Sequence, residues 1–194
     1  MKDTDKKGKI IVLSAPSGSG KSTIIGKLIN KPDLKLGFSI SATSRRPRGE
    51  EKHGKEYFFM TEEEFKDNVA QGNFVEWEEV YPGVCYGTLA SEVERVTCRG
   101  NNLIMDVDVK GGLSIKKRFG DEAILIFIMP PDKTTLENRL RNRGTDSEET
   151  ILRRLQKSEY EMEFAKDFDY VVVNDNLNHA VSEAESIIFN FISK

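Results

Sequence analysis

Cysteine is nearly absent: Cys85 and Cys98 are the only two in 194 residues. They form no metal-ligand spacing and no disulfide framework. They read as free thiols of a reducing compartment. Histidine is as scarce, and His53 and His179 stand without any partner pattern, so no chemistry is assigned to them. No apolar run approaches the length that spans a membrane. The opening Met1-Lys-Asp-Thr-Asp-Lys-Lys-Gly8 is polar and lacks the apolar core of a signal peptide. A soluble, cytoplasmic protein is expected. An excess of positive charge is missing too: 29 Lys and Arg face 32 Asp and Glu, for a net charge of −3. Global charge therefore gives no case for nucleic acid. Repeats and low-complexity linkers are lacking, and the length suits one α/β domain with small inserted lobes.

What is present begins at residue 10. Ile10-Ile-Val-Leu-Ser14 is an apolar strand, Ala15-Pro-Ser-Gly-Ser-Gly20 a Gly-rich turn, and Lys21-Ser-Thr-Ile-Ile25 the start of a helix. This is close to a phosphate-binding P-loop. The turn through Ser17, Gly18, Ser19 and Gly20 would aim backbone N–H groups at a polyphosphate. The helix beginning at Lys21, Ser22 and Thr23 would direct the positive end of its dipole to the same point. Lys21 adds a cation for the β- and γ-phosphates, and the Ser22 hydroxyl is a ligand for Mg²⁺. The usual pattern has Gly where this chain has Ala15, so that position must hold a backbone conformation open to alanine.

Further strands are expected at Leu103–Asp106, Ala123–Met129 and Tyr170–Val173, each a compact apolar run with little alternation, as buried parallel strands require. Helical patterns fall at about 21–30, 110–119, 133–142, 148–165 and 178–192, with Asp132 or Thr134 as a cap for the third. Strands alternating with helices imply a parallel sheet covered on both faces. Residues 36–90 break that rhythm with short alternating segments (Phe38-Ser-Ile-Ser-Ala42, Glu56-Tyr-Phe-Phe59, Phe74–Val80) and a helical stretch at about 61–71. They read as a small mixed β lobe. Arg143-Gly-Thr-Asp-Ser-Glu-Glu149 is a second irregular segment. A core with two appended lobes suits an enzyme that closes over its substrates.

Three arginines, Arg45, Arg46 and Arg48, crowd a Pro/Gly loop, and their guanidinium forks suit bidentate phosphate contacts. Asp106 and Asp108 end an apolar strand, where α/β sheets bind ligands. Asp106 is placed to hold Mg²⁺ directly or through water. Asp108, before Gly111-Gly112, equally suits a helix cap. Glu76 sits between Val75 and Trp77, either on a site or on an exposed strand. Arg139 and Arg143 are one helical turn apart. With Arg154 they read either as a salt-bridged surface or as a lid that brings guanidinium groups to a transferring phosphoryl.

Taken in order, these motifs resemble the guanylate kinases over nearly the whole chain. The resemblance is carried by Ser14-Ala-Pro-Ser-Gly-Ser-Gly-Lys-Ser-Thr23, Ser39-Ile-Ser-Ala-Thr-Ser-Arg-Arg-Pro-Arg48, Gly54-Lys-Glu-Tyr-Phe-Phe59, Phe74-Val-Glu-Trp77 and Tyr86-Gly-Thr88. Asp106-Val-Asp-Val-Lys-Gly-Gly112, Phe127-Ile-Met-Pro-Pro131, Arg139-Leu-Arg-Asn-Arg-Gly-Thr145 and Val171-Val-Val-Asn-Asp175 continue it.

It implies an α/β P-loop kinase core with a parallel sheet flanked by helices (8–37, 91–138 and 155–194), a mixed β GMP-binding lobe (38–90) and a small lid (139–154). It also implies transfer of the γ-phosphoryl of ATP to GMP, with Mg²⁺; dGMP is an admissible acceptor, and no nucleic acid or membrane is involved. Ser41, Glu76 and Asp108 match guanine-reading positions. Arg45, Arg48, Tyr57 and Tyr86 match the positions that bind the GMP phosphate, with Thr88 where some members have Ser. Lys21, Arg45, Arg139, Arg143 and Arg154 match the catalytic cations, and Asn174 the adenine side of the ATP site. The departures are Ala15 and Cys85.

Carboxylates at Glu76 and Asp108 would accept the N1–H and 2-amino protons of guanine, while the Ser41 hydroxyl donates to O6. The alternative is a non-catalytic guanylate-kinase-like interaction module, against which Lys21, Ser22 and the lid arginines argue. A P-loop kinase for another acceptor is disfavoured by the Ser41, Glu76 and Asp108 set. A GTPase is disfavoured because a two-lobed insert suits two substrates.

Overall fold

The structure, a computed structural model, describes residues 7–142 and 147–194. In chain order the elements are β1 (Ile10–Ser14), α1 (Lys21–Leu28), β2 (Leu36–Phe38), β3 (Ala42–Thr43), β4 (Phe58–Phe59), α2 (Glu62–Ala70), β5 (Phe74–Tyr81) and β6 (Val84–Leu89). Then follow α3 (Ala90–Thr97), β7 (Asn102–Asp106), α4 (Val109–Phe119), β8 (Ala123–Met129), α5 (Lys133–Arg141), α6 (Glu148–Met162), β9 (Tyr170–Val173) and α7 (Leu177–Ile192).

Five strands form a parallel sheet in the order β2-β7-β1-β8-β9. Ile10–Leu13 of β1, Leu103–Met105 of β7 and the whole of β8 are unbroken apolar runs because both faces of the sheet are covered. Ile11 and Leu13 of β1 pack with Ile24, Ile25 and Leu28 of α1 and with Ala184 and Ile188 of α7. Ile10 and Val12 point the other way, toward Val93 and Val96 of α3, Ile115 of α4 and Phe168. One continuous apolar run thus serves two cores. A second, mixed sheet has the order β4-β3-β6-β5, and Phe65 of α2 stacks on Phe74 at its base.

Most expected elements are found within a residue or two. The helix expected at 148–165 instead ends at Met162, and a short 3-10 turn follows over Glu163–Asp167. Asp132 caps α5, its carboxylate accepting the Thr135 N–H at 2.7 Å. Two readings change. Phe38, expected to open an alternating segment of the small lobe, closes β2 in the parallel sheet, opposite Ile104. The helix α3 lay outside the expected helical stretches, because it is short and its N-cap Leu89 makes no side-chain capping bond. Its Glu92 is 4 % exposed, yet it accepts the Ile40 N–H at 2.9 Å and pairs with Arg95, which also reaches Phe38 O. Burial pushes the Glu92 carboxyl up, and these donors more than reverse it. This buried polar knot ties the strand crossing between the two sheets to α3.

Candidate active site

The carboxyl ends of β1 and β7 open into the cleft, as the parallel topology dictates. From β1 the chain turns through Ala15–Gly20 into α1. Gly18 and Gly20 take φ of 94° and 92°, values only glycine adopts without strain. Lys35 is the one described non-glycine residue with positive φ, so Ala15 sits in ordinary backbone, as its side chain demands. Gly20 is the N-cap of α1 and makes no side-chain capping bond. The first N–H groups of α1 are thereby left to face the cleft. A cavity of about 330 Å³ here is lined by Ser17, Gly18, Gly20, Lys21, Ser22, Thr23, Asp106, Asp108 and Glu161.

Lys21 Nζ is 2.5 Å from Asp106 Oδ1 and donates to Val107 O at 3.3 Å. Ser14 Oγ ties the loop to the same turn through Val107 O at 2.9 Å. Ser19 and Asn174 lie behind the loop rather than in the cavity. Asn174 is 4 % exposed, and its Nδ2 donates to Ser19 O at 2.7 Å. In this structure the Asn174 amide braces the loop. Asn174 O accepts from Arg139 Nη2 at 2.9 Å, while buried Arg139 Nη1 finds no acceptor among the described residues. Arg154 lies on α6, half-buried. Arg143 lies outside the described residues.

A second cavity, of about 460 Å³, opens between the two sheets and is lined by Ser41, Lys55, Tyr57, Glu76, Glu78, Tyr86, Asp106 and Asp108. Asp106, Val107 and Asp108 line both cavities, so the two meet at one turn. Glu76 Oε1 accepts from the Thr88 hydroxyl at 2.7 Å. Thr88 is 1 % exposed and acts by holding Glu76 rather than by lining the cavity. Burial pushes the Glu76 carboxyl up, the Thr88 hydroxyl opposes this, and the Asp108 charge adds to it. Both readings of Asp108 hold at once: it caps α4, accepting the Gly111 N–H at 2.6 Å, and it faces the cavity. Burial alone would raise the Asp108 carboxyl, but hydrogen bonds with Glu78 and from Gly111 hold it below its usual range.

Arg45 is pinned in place. Its Nε donates to the Tyr86 hydroxyl at 3.0 Å, and its guanidinium lies 4.9 Å over the Tyr57 ring. Nη1 and Nη2 donate to the two Glu51 oxygens at 2.6 and 2.8 Å. Glu51 also accepts the Arg48 N–H, and together these bonds, that from Arg45 foremost, draw its carboxyl down to about 2. Arg48 itself is exposed. Glu51 thus sits on the arginine fork as an anion would.

Four carboxylates at or near the site escaped the sequence reading: Glu51, Glu78, Glu92 and Glu161. Glu78 alone had a local signal, its two-residue spacing from Glu76, which sets both on one face of β5. No cluster of three or more His, Cys, Asp or Glu side chains able to hold a metal occurs among the described residues. A hydroxyl at Ser22 and a carboxylate at Asp106 do border one cavity, and Mg²⁺ held mainly by phosphates and waters asks little more of a protein. Among the described residues no helix is long and apolar enough to cross a membrane.

The guanylate kinase family model matches residues 7–191. A guanylate kinase of Bacteroides thetaiotaomicron is 52% identical over 187 residues, spanning 96% of this chain and 91% of that one. One of Porphyromonas gingivalis is 52% identical over 186 residues, spanning 96% and 99%. Among solved structures, a crystal structure of guanylate kinase from Anaplasma phagocytophilum is similar at a TM-score of 0.74 and 28% identity, covering 98% of this chain and 89% of that one.

Proposed function

The chain belongs to the guanylate kinase family, and from that premise we propose that its two joined cavities transfer the γ-phosphoryl group of ATP to GMP, giving ADP and GDP. The observation that carries this reading is the shared turn Asp106–Asp108. It lets a phosphate-binding loop and a carboxylate-lined pocket present donor and acceptor to each other.

In the donor cavity the N–H groups of Gly18, Gly20, Lys21 and Ser22 cradle the phosphates, in a loop held by the Ser19 and Thr23 N–H bonds to Pro16 O and Gly20 O. Lys21 exchanges Asp106 for the β/γ-phosphate oxygens. Ser22 and Asp106 would hold the Mg²⁺ that accompanies ATP, directly or through water. Bound there, it would neutralise phosphate charge. Asn174 keeps the loop in shape from behind.

In the acceptor cavity Glu76, fixed by Thr88, accepts the guanine N1–H. Asp108 accepts a 2-amino proton, and Ser41 donates to O6. Arg45, oriented by Tyr57 and Tyr86, exchanges Glu51 for the GMP phosphate, with Arg48 beside it. Arg139, Arg143 and Arg154 supply charge to the transferring group from the lid side. The protein does little covalent work: it aligns two anions, spreads their charge and excludes water. The lobe and lid boundaries given above, 38–90 and 139–154, are the units that would close. The cytoplasm, which keeps free thiols such as Cys85 and Cys98 reduced, is the expected setting.

The test is ADP release from MgATP with GMP, AMP, CMP, UMP or no acceptor. Adenine would turn an N1 lone pair toward a carboxylate and offers no 2-amino group. GMP should therefore be preferred over AMP by about 10⁴–10⁵ in kcat/KM. Comparable activity with several acceptors would overturn the guanine site. GMP binding without any turnover would instead favour an interaction module.

A further inference from the structure

The chain crosses from the parallel sheet to the mixed one at Ser39-Ile40-Ser41. Phe38 ends β2 opposite Ile104, and Ala42 begins β3 opposite Gly87. Backbone groups in such a crossing must find their hydrogen-bond partners outside a ladder. One ion pair on α3 supplies two of them: Glu92 Oε2 accepts the Ile40 N–H at 2.9 Å, and Arg95 Nη2 donates to Phe38 O at 3.1 Å. The pair is bidentate, with Arg95 Nε 2.7 Å from Glu92 Oε1 and Nη2 2.9 Å from Oε2. Glu92 is 4 % exposed, and Val93 and Val96 of the same helix are buried in the core with β1 and β7. A carboxylate this buried needs partners. Beyond its own helix it finds the N–H of the residue before Ser41. On the lobe side, Ser41 O accepts the Phe58 N–H of β4 at 2.9 Å. Ser41 is therefore held from the core through Ile40 and from the lobe through Phe58, and it lines the acceptor cavity. Glu92 does not line that cavity, so its reach to a substrate runs through the backbone.

We infer that Glu92, clamped by Arg95, is a positioning residue for base recognition: it fixes the backbone at Ile40 and so holds the Ser41 hydroxyl where it meets the guanine O6. The inference rests on the kinase reading and refines it. A hydroxyl on a crossing between two sheets has no regular element to orient it. A side-chain acceptor on a helix packed into the core supplies the missing anchor. Without that acceptor the Ile40 N–H is left short of a partner, and the crossing shifts to satisfy it. The Ser41 hydroxyl moves with the crossing, and a hydrogen bond weakens steeply as its distance and angle drift. The phosphate-binding groups Arg45, Tyr57 and Tyr86 lie elsewhere on the lobe and keep their own contacts.

The experiment is a double-mutant cycle on kcat/KM for GMP, with MgATP saturating. The proteins are wild type, Glu92→Met, which keeps length and removes the acceptor, Ser41→Ala, the two combined, and Glu92→Gln, whose amide oxygen can still accept the Ile40 N–H. Thermal melting monitors folding. If Glu92→Met does not fold, Arg95→Met takes its place in the cycle, since it loosens the same clamp from a side chain that is 39% exposed. Glu92→Met should raise the KM for GMP roughly tenfold with kcat and the KM for ATP little changed, and Glu92→Gln should return toward wild type. In the Ser41→Ala background the effect of Glu92→Met should largely vanish, because the group it positions is gone. A merely structural role would cost the same factor with or without the Ser41 hydroxyl, and that result would overturn the inference. So would a fall in kcat with no change in KM, a Glu92→Gln variant as impaired as Glu92→Met, or a Ser41→Ala variant with unchanged kcat/KM. Absence of GMP turnover by the wild type would overturn the kinase reading itself and this inference with it, and that control separates the two failures.

Discussion

Glu76→Gln should separate binding from stability. Gln has nearly the same shape, and its amide oxygen can still accept from Thr88, which now donates to Glu76 Oε1 at 2.7 Å. On the ligand side the other position becomes an NH₂ group, a donor facing the N1–H donor of guanine. A hydrogen bond to a charged acceptor is worth about 1.5–3 kcal/mol. Its loss predicts a fall of roughly 10- to 150-fold in kcat/KM for GMP, since about 1.4 kcal/mol is a factor of ten. The fall should lie mainly in KM, because the base is remote from the transferring phosphoryl. Stability should move the other way. Burial raises the Glu76 carboxyl above its ordinary range, so the ionised form is less at home in the folded chain than in the unfolded one. A neutral amide removes that penalty at neutral pH. The assay is ADP release at varied GMP, with a thermal melt on the same samples. An unchanged kcat/KM for GMP would refute the base-reading role. A clear drop in melting temperature at neutral pH would refute the argument from burial.

Lys21→Met should fold normally and lose at least about 10²–10³ in kcat, the scale of one lost electrostatic group at a transition state; near-normal turnover would refute the phosphate-loop assignment. Asn174→Ala removes a buried amide that holds Ser19 O at 2.7 Å. A loss of ~1–3 kcal/mol in denaturant unfolding and a raised KM for ATP are expected, and neither would follow if the amide were a bystander. Glu51, held near 2 by Arg45 against an ordinary value of 4.5, stabilises the fold fully above about pH 4.5 and loses that contribution as pH falls toward 2. The melting-temperature gap between wild type and Glu51→Gln should therefore close across that window, and a constant gap would refute the pairing. Glu51→Gln should also lower the KM for GMP at neutral pH, because the phosphate then displaces a neutral side chain from Arg45.

Much of the framework was legible along the chain because its signals are local. The β1 run, the Gly18 and Gly20 turn and Lys21-Ser22 lie within a dozen residues, and steric and hydrogen-bonding rules act at that range. Buried parallel strands announce themselves as unbroken apolar runs. Asp132 and Asp108 sit where caps belong, and the Asp106 and Asp108 carboxylates stand at the end of β7, where a parallel sheet opens. Other features depended on contacts that no window of sequence contains. Ser19 and Asn174 meet across 155 positions. Ile40 meets Glu92 across 52, and Thr88 meets Glu76 through strand pairing. Phe38 joined the parallel sheet because β7 offered it a partner, which its own alternating neighbours did not reveal. Whether a carboxylate such as Glu51 is a solvated charge or half of an ion pair depends on which groups the fold brings beside it. The sequence alone determined the phosphate loop and the layered core, through local propensity and hydrophobic run length. Tertiary structure decided the protonation, pairing and burial of the acidic residues around the cleft, because desolvation and charge coupling act through space and not along the chain.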